Sequence, residues 1–348
     1  MTRELLNTLY VQTENALVRL DGETARVEVE GEKRLQVPLH HLGAIHLFGT
    51  ATITAPAIAR CAAEGRAVAW FSRTGRFLAR VVGPTSGNVL LRQAQYEAHR
   101  DDRRACEIAR AIVAGKIRNL RAVTGRAARD VRAEEGRERL QDATQAMAEL
   151  LLALPGQKDV DAVRGVEGQG AALYFAVFGE MLTVPPQEFA FRGRSRRPPR
   201  DRMNALLSFL YALLTADCVA ACEGVGLDPQ FGFLHCLRPG RPALALDLME
   251  EFRPVLADRL ALTLVNRRQI RREHFEERVA GTGGESVTLT DEGRKVVLAG
   301  YHDRKREEAV HPLLKDRAPL GLLPHLQARL LARHLRGDLD TYLPFPAP

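Results

Sequence analysis

The sequence predicts an α+β fold: a β-rich N-terminal domain over residues 1–87, followed by a larger all-α C-terminal domain over residues 88–348. From Leu5 to about Val82, β-branched runs such as ARVEVEG alternate in and out with the two-residue period of half-buried strands. After Gly83-Pro84 the texture changes to long Ala-, Arg-, Leu- and Glu-rich segments, all good helix formers, broken at intervals by Gly or Pro. With 348 residues, 45% of them apolar and 27% charged, the chain has material for two cores.

Taken in order, Asp21-Gly22 marks a turn between two strands. The stretch Ala55 to Glu64 has helical composition and stops at Gly65, after which AVAWF and FLARVV resume as strands. The domain boundary falls near Gly87. Helices are expected over Val89 to Ala114, Lys116 to Arg132, Gly136 to Leu154, Gly168 to Leu182, Met203 to Glu223, Asp247 to Val265, Asp291 to Arg306 and Leu322 to Arg336. The helix from Met203 is apolar almost all round, which in a soluble protein marks a helix enclosed by others. GTGGESVTLT, from Gly281 to Thr290, reads as a loop with a short strand, and Leu343 to Pro348 as a loose tail.

Fifty Lys and Arg against 43 Asp and Glu leave a net charge of +7, which suits an anionic partner. Its distribution says more, because RGRSRRPPR carries Arg192, Arg194, Arg196, Arg197 and Arg200 with no acid among them. The planar donor fork of arginine matches phosphate. Arg267, Arg268, Arg271 and Arg272 form a second cluster. Five scattered cysteines with no C-x-x-C pair indicate neither a disulfide framework nor a structural zinc site, so a reducing cytoplasm is expected. The N-terminus lacks the apolar core of a signal peptide, and the apolar stretch Ala205 to Ala216 is too short to span a bilayer, so no membrane association is expected.

Three places could carry chemistry. Glu167 heads a helical stripe with Ala171, Tyr174 and Phe178. It is either a buried carboxylate in need of a cation or an acid placed in a first helical turn against the dipole. His235 interrupts the apolar FGFLHCL as a core histidine or as a ligand. In LALDLMEEFRP a helix would put Asp247, Glu250 and Glu251 on one face, where they repel one another unless water or a divalent cation intervenes. The same Asp-x-x-Glu spacing also fits a helix cap. Two carboxylates and an imidazole suit Mg²⁺ or Mn²⁺, while Cys236 lacks a second cysteine at zinc-ligand spacing. No phosphate-binding loop, nucleophile elbow or H-E-x-x-H is present, and Gly168-x-Gly170 lacks the rest of a dinucleotide fingerprint.

Nearly end to end, the chain resembles the CRISPR-associated integrase family, the catalytic subunit of spacer acquisition often called Cas-one. The resemblance lies in LLNTLYV, GRFLARV, GNVLLRQAQY, GKIRNLR, GVEGQGAALYF, RGRSRRPPRDRMNALLSF, GFLHCLRPGRPALALDLMEEFRP and LLARHLRGDLDTY, in that order. Their wording is most similar to the subtype I-C branch. The resemblance implies that Glu167, His235 and Glu250 bind the catalytic metal, Mg²⁺ or Mn²⁺, with Asp247 a further acid beside it. Arg238 matches a position that tends to be basic. Also implied are a homodimer formed largely through the β-domain and a dimer of the small partner Cas-two bridging two such dimers.

The implied reaction inserts short DNA fragments into a CRISPR array, the 3′-hydroxyl of each fragment attacking a phosphodiester at a repeat border. Arg238 and Arg241 would hold phosphates near the metal, and the arginines between Arg192 and Arg200 would track the duplex backbone. Two alternatives stand beside this: a metal-dependent DNA repair nuclease, and a DNA-binding scaffold in which the acids merely cap helices.

Overall fold

The computed structural model describes residues 6–83, 89–195, 198–279 and 285–346. It bears out the α+β reading, with a mixed-sheet N-terminal part followed by a larger helical part. The expected boundary at Gly87, residues Arg196 and Arg197, and the first half of the loop expected from Gly281 lie outside the described residues.

Strands β1 (Asn7–Val11), β2 (Leu17–Asp21), β3 (Thr24–Val29), β4 (Glu32–Pro38), β5 (Leu42–Phe48) and β6 (Thr52–Ile53) precede helix α1 (Ala55–Ala63). Strands β7 (Ala67–Phe71) and β8 (Phe77–Arg80) follow it. One sheet has the order β1-β5-β7-β8, parallel except for β8, and the other has the order β4-β3-β2-β6. Gly22 turns β2 into β3 at φ 57°, and Glu30 with Gly31, both at positive φ, turn β3 into β4. Val18, Ala25, Ile45, Leu47 and Val68 fill the core between the sheets.

Helices α2 (Val89–Arg100), α3 (Asp102–Asp130), α4 (Glu134–Ala153), α5 (Val160–Ala176), α6 (Arg202–Val225), α7 (Ala243–Phe252), α8 (Arg259–Asn266), α9 (Asp291–Arg306) and α10 (Leu323–Leu335) build the larger part. Two short ribbons lie among them, β9 (Phe275–Val279) with β10 (Glu285–Leu289) and β11 (Glu308–Val310) with β12 (Arg317–Pro319), so this part is not purely helical. The first of them contains the strand expected before Thr290. Phe48 and Phe71 of the first sheet join the helical core, where Phe48 stacks on Phe209 of α6 at 6.2 Å.

Several expected boundaries move, each for a local reason. The first break falls at Asp101, whose carboxylate caps α3 by accepting from the N–H groups of Arg103 and Arg104, and not at Gly115. Gly115 lies inside α3, and the position takes glycine because a Cβ there would stand 2.6 Å from Pro344. Capped by Asp159, α5 begins before Glu167 and so places that residue in mid-helix, away from the first turn. The helix expected from Asp247 to Val265 is interrupted by a π turn over Arg253–Asp258, where Pro254 has no N–H to give to the carbonyl of Glu250. At 24 residues, or about 36 Å, α6 extends beyond the apolar stretch Ala205 to Ala216 and is, by length and composition only, sufficient to cross a bilayer. Here its Leu206, Leu207, Leu210 and Leu214 are fully enclosed by the other helices.

Over its described residues, 343–346, the tail is not loose. Phe345 is fully buried and stacks on Phe252 at 6.0 Å, while its N–H donates to Glu251 at 2.7 Å.

Candidate active site

The centre forms where α3, α5 and α7 meet the loop between α6 and α7. Along α3 the buried positions Ile112, Val113, Ile117 and Leu120 recur with helical spacing, and Lys116 falls among them. Its side chain is 6% exposed. The ammonium Nζ touches Oε1 of Glu167, from the middle of α5, and lies 2.7 Å from Oε2 of Glu250 on α7. Charged hydrogen bonds of this kind are roughly twice as strong as neutral ones.

His235 reaches the same point from the loop. Its Nδ1 lies 2.7 Å from Oδ1 of Asp247, which makes Nδ1 the donor to a carboxylate and turns the Nε2 lone pair inward. Nε2 stands 3.7 Å from Oε1 of Glu250. Asp247, fully buried, accepts also from the backbone N–H groups of Phe233, Leu234 and His235 at 2.5, 3.0 and 2.9 Å. Gly232 must be glycine for this to happen, since a Cβ would sit 2.5 Å from Oδ2 of Asp247. From α5, Arg164 donates to the carbonyl of Leu234, and from α2, His99 bonds the carbonyl of Gly232 at 2.7 Å. The loop is thus held from three helices.

Arg253, the first residue of the π turn, lies 2.9 Å from Oε1 of Glu250. Burial pushes the Glu250 carboxyl up, but the cations Arg253 and Lys116 outweigh it and hold the group down at about 2. The guanidinium of Arg253 lies over the ring of Tyr211 at 5.0 Å, and Arg194 lies over the same ring at 5.2 Å. One aromatic ring therefore joins the arginine-rich segment to the centre.

Glu167, His235, Glu250 and Asp247 come together as a group, although Asp247 faces the loop rather than the point the others share. Glu251 does not join them. It turns to the opposite side of α7, where Tyr342 and Gln327 donate to it, so neighbouring acids avoid repulsion by diverging. The helix-cap alternative does not describe Asp247 and Glu250, which lie within α7 and are 0% and 1% exposed. Arg192, Arg200 and Arg238 are exposed, and Arg241 is half-buried. Arg194 instead turns inward, donating to Asn204 Oδ1 at 2.6 Å and Ser208 Oγ at 3.2 Å.

Sequence reasoning missed Lys116 and Arg253. A lysine inside an apolar helical stripe was the available signal for the first. For the second there was only its place three residues after Glu250. Among the described residues, no three His, Cys, Asp or Glu side chains stand close enough to enclose an ion. The donor set nevertheless fits one: two carboxylates, and an imidazole oriented through its other nitrogen by a carboxylate, are hard and borderline ligands suited to Mg²⁺ or Mn²⁺. The 3.7 Å between Nε2 and Oε1 is too long for a hydrogen bond, so the lone pair of Nε2 is not spent on Glu250.

Fold and cluster together define a two-domain α+β protein whose helical part gathers two glutamates, a histidine–aspartate pair, a lysine and an arginine. The chain belongs to the Cas1 family, because the family pattern described as "CRISPR associated protein Cas1" matches residues 9–303. It is 56% identical over 341 residues to a "CRISPR-associated endonuclease Cas1 1" of Moorella thermoacetica, covering 98% of both chains. Its fold is similar to that of a chain in a "Cas6-RT-Cas1--Cas2 complex", with a TM-score of 0.83 and 24% identity over all of this chain and 37% of that longer one. A "Casposase bound to integration product" shares the fold with a TM-score of 0.83 and 22% identity, over 99% of this chain and 94% of the other.

Proposed function

We propose that this chain is the integrase of CRISPR adaptation, inserting short DNA fragments into the array by attack of their 3′-hydroxyls on repeat phosphodiesters. One observation carries the reading: Glu167, His235 and Glu250, on three separate stretches of chain, meet at one buried point that opens to solvent on the side of Glu167 and His235. These three residues would hold Mg²⁺ or Mn²⁺, which when bound supplies a Lewis acid for a non-bridging phosphate oxygen. Asp247 keeps the Nε2 lone pair of His235 aimed into the site. Arg253 holds Glu250 as an ionised carboxylate in a buried position. Arg238 and Arg241 sit on the loop that carries His235, within reach of phosphates entering there, while Arg192 and Arg200 extend the basic surface. Arg194 anchors that segment through Tyr211 and Asn204, and Arg196 and Arg197 complete the run in the sequence.

The relatives' names support an endonuclease, and the complex titled with Cas1 and Cas2 supports a Cas2 partner. A homodimer built through the β-domain, 1–87, is favoured by Leu35 on β4 and by Phe77 and Leu78 on β8. These large apolar side chains are exposed on edge strands of the two sheets. We place the chain in the cytoplasm, as two dimers bridged by a Cas2 dimer, and in subtype I-C on the wording of its motifs.

The test is an integration assay with the purified protein, its Cas2 partner, a duplex with free 3′ ends and a repeat-bearing plasmid, with Mg²⁺ or Mn²⁺. Joined products are expected, and they disappear in folded Glu167→Ala and His235→Ala. Shortened strands without joining would indicate a repair nuclease instead. Binding without any cleavage would indicate a scaffold.

A further inference from the structure

Lys116 has no part in the reading above, and its placement calls for an explanation. A lysine is almost never buried unless paired. This one is buried on the core stripe of α3, with its ammonium between Glu167 and Glu250, the two carboxylates assigned to the metal. Its hydrogen bonds and ion pairs among the described residues go to these two groups. A divalent cation drawing on both carboxylates takes over the charge that holds Lys116 in place. The displaced ammonium then faces a large desolvation cost unless another anion replaces them. Arg253 beside Glu250 adds positive charge, so no anion comes from that side. The site opens toward Glu167 and His235, whose side chains are 26% and 18% exposed, and that is the side from which a phosphate can enter.

We propose that Lys116 is the internal counter-cation of this centre and couples metal binding to DNA binding: ammonium and divalent ion compete for Glu167 and Glu250, and a DNA phosphate takes the ammonium when the ion is in place. The proposal rests on the metal assignment made above. Metal binding without DNA is thereby weakened, and DNA and metal strengthen each other by the same factor, as linkage requires. The carboxylate pair also stays neutralised and packed while no ion is bound, so the fold does not depend on metal.

The test is calorimetric titration of Mn²⁺ into the chelator-treated full-length protein, with and without a short blunt duplex blocked at its 3′ ends so that no joining occurs. Wild type is expected to bind Mn²⁺ about tenfold more tightly with the duplex. Lys116→Met is expected to bind Mn²⁺ more tightly than wild type without DNA and to lose most of the enhancement by the duplex. Equal or weaker Mn²⁺ binding by a folded Lys116→Met, or an undiminished enhancement, overturns the proposal. Should Lys116→Met unfold without metal, refolding on addition of Mn²⁺ supports the competition. Should it stay unfolded, Lys116→Gln is titrated in its place, and if that also fails to fold, absence of enhancement in wild type overturns the coupling while its presence supports it. Glu250→Gln separates the two readings. If it leaves Mn²⁺ binding unchanged, the metal assignment itself has failed; if it abolishes binding while Lys116→Met behaves as wild type, only the role of Lys116 falls.

Discussion

Asp247 and His235 are joined twice, one carboxylate oxygen accepting both the backbone N–H of His235 at 2.9 Å and its ring Nδ1 at 2.7 Å. Position and orientation of the imidazole are therefore set by a single buried group. Asp247→Asn is expected to lower strand joining and Mn²⁺ affinity together, by about 10- to 100-fold, the usual cost of losing the carboxylate behind a ligand histidine. Kinetics and titration on protein with unchanged circular dichroism check this. Activity within threefold of wild type would sink the positioning role.

Arg253→Ala leaves Glu250 buried without the strongest of the charges that hold it ionised. Breaking a buried pair in this way costs about 3–5 kcal/mol. Because the folded-state value of Glu250 is depressed to about 2, its stabilising contribution is present above the ordinary 4.5 and is lost as pH falls from there toward 2. In Arg253→Ala the folded value rises, so this pH-dependent loss is expected to be smaller and to be complete at higher pH. Acid titration followed by tryptophan fluorescence reads the shift.

Asp258 has the opposite sign. Burial raises it to about 6, although the hydroxyl of Tyr211 donates to it at 2.7 Å and Arg253 works against the shift. A raised carboxyl stabilises the fold below its ordinary value of 3.8, and that contribution is lost as pH rises through about 6. The stability of wild type relative to Asp258→Asn is expected to decline by about 2 kcal/mol between pH 4 and 7. Urea midpoints across that range test it, and a flat difference would refute it.

Arg238→Ala and Arg241→Ala are expected to weaken duplex binding uniformly across sequences. For every phosphate that no longer meets its arginine, the slope of log affinity against log salt falls by about 0.9. Fluorescence anisotropy at several salt concentrations measures it, and an unchanged slope in the double variant means these arginines do not touch the backbone.

Phe345→Ala removes a fully buried ring stacked on Phe252 and is expected to cost about 3–5 kcal/mol. Denaturant unfolding gives the value directly. A cost below 1 kcal/mol would mean that the tail is not part of the core.

Much of the architecture was legible because it follows from local chemistry. Two-residue alternation placed the strands, Gly22 and Gly65 placed a turn and a helix end, and an all-round apolar sequence marked α6 as central. What escaped was decided by contacts distant in sequence. Gly115 looks like a helix breaker until Pro344 is known to lie against it. Residues 343–346 look loose because the partners of Phe345, namely Asn119, Glu251 and Phe252, lie far back in the chain. At the centre, Glu167, His235 and Glu250 were visible as polar residues in apolar surroundings. Lys116 carried the same signal, but long lysine stems commonly lie along apolar surface with the charge in water, so the pattern alone did not separate it from a surface residue. Arg253 depends on a π turn that no helical periodicity reveals.

The buried tail also bears on the order in which the protein acquires its working parts. Asn119, one turn beyond Lys116 on α3, donates to the carbonyl of Glu251, beside Glu250, at 2.7 Å, and to the carbonyl of Phe345, 226 residues away, at 2.9 Å. A junction closed over so long a stretch of chain is slow to form, since the entropy of ordering that chain is lost before the junction rewards it. The β-domain, whose strand pairings all close over fewer than 40 residues, has no delay of that length. Assembly of the cluster thus coincides with completion of the fold, and a chain still maturing lacks an aligned set of groups with which to attack a DNA backbone.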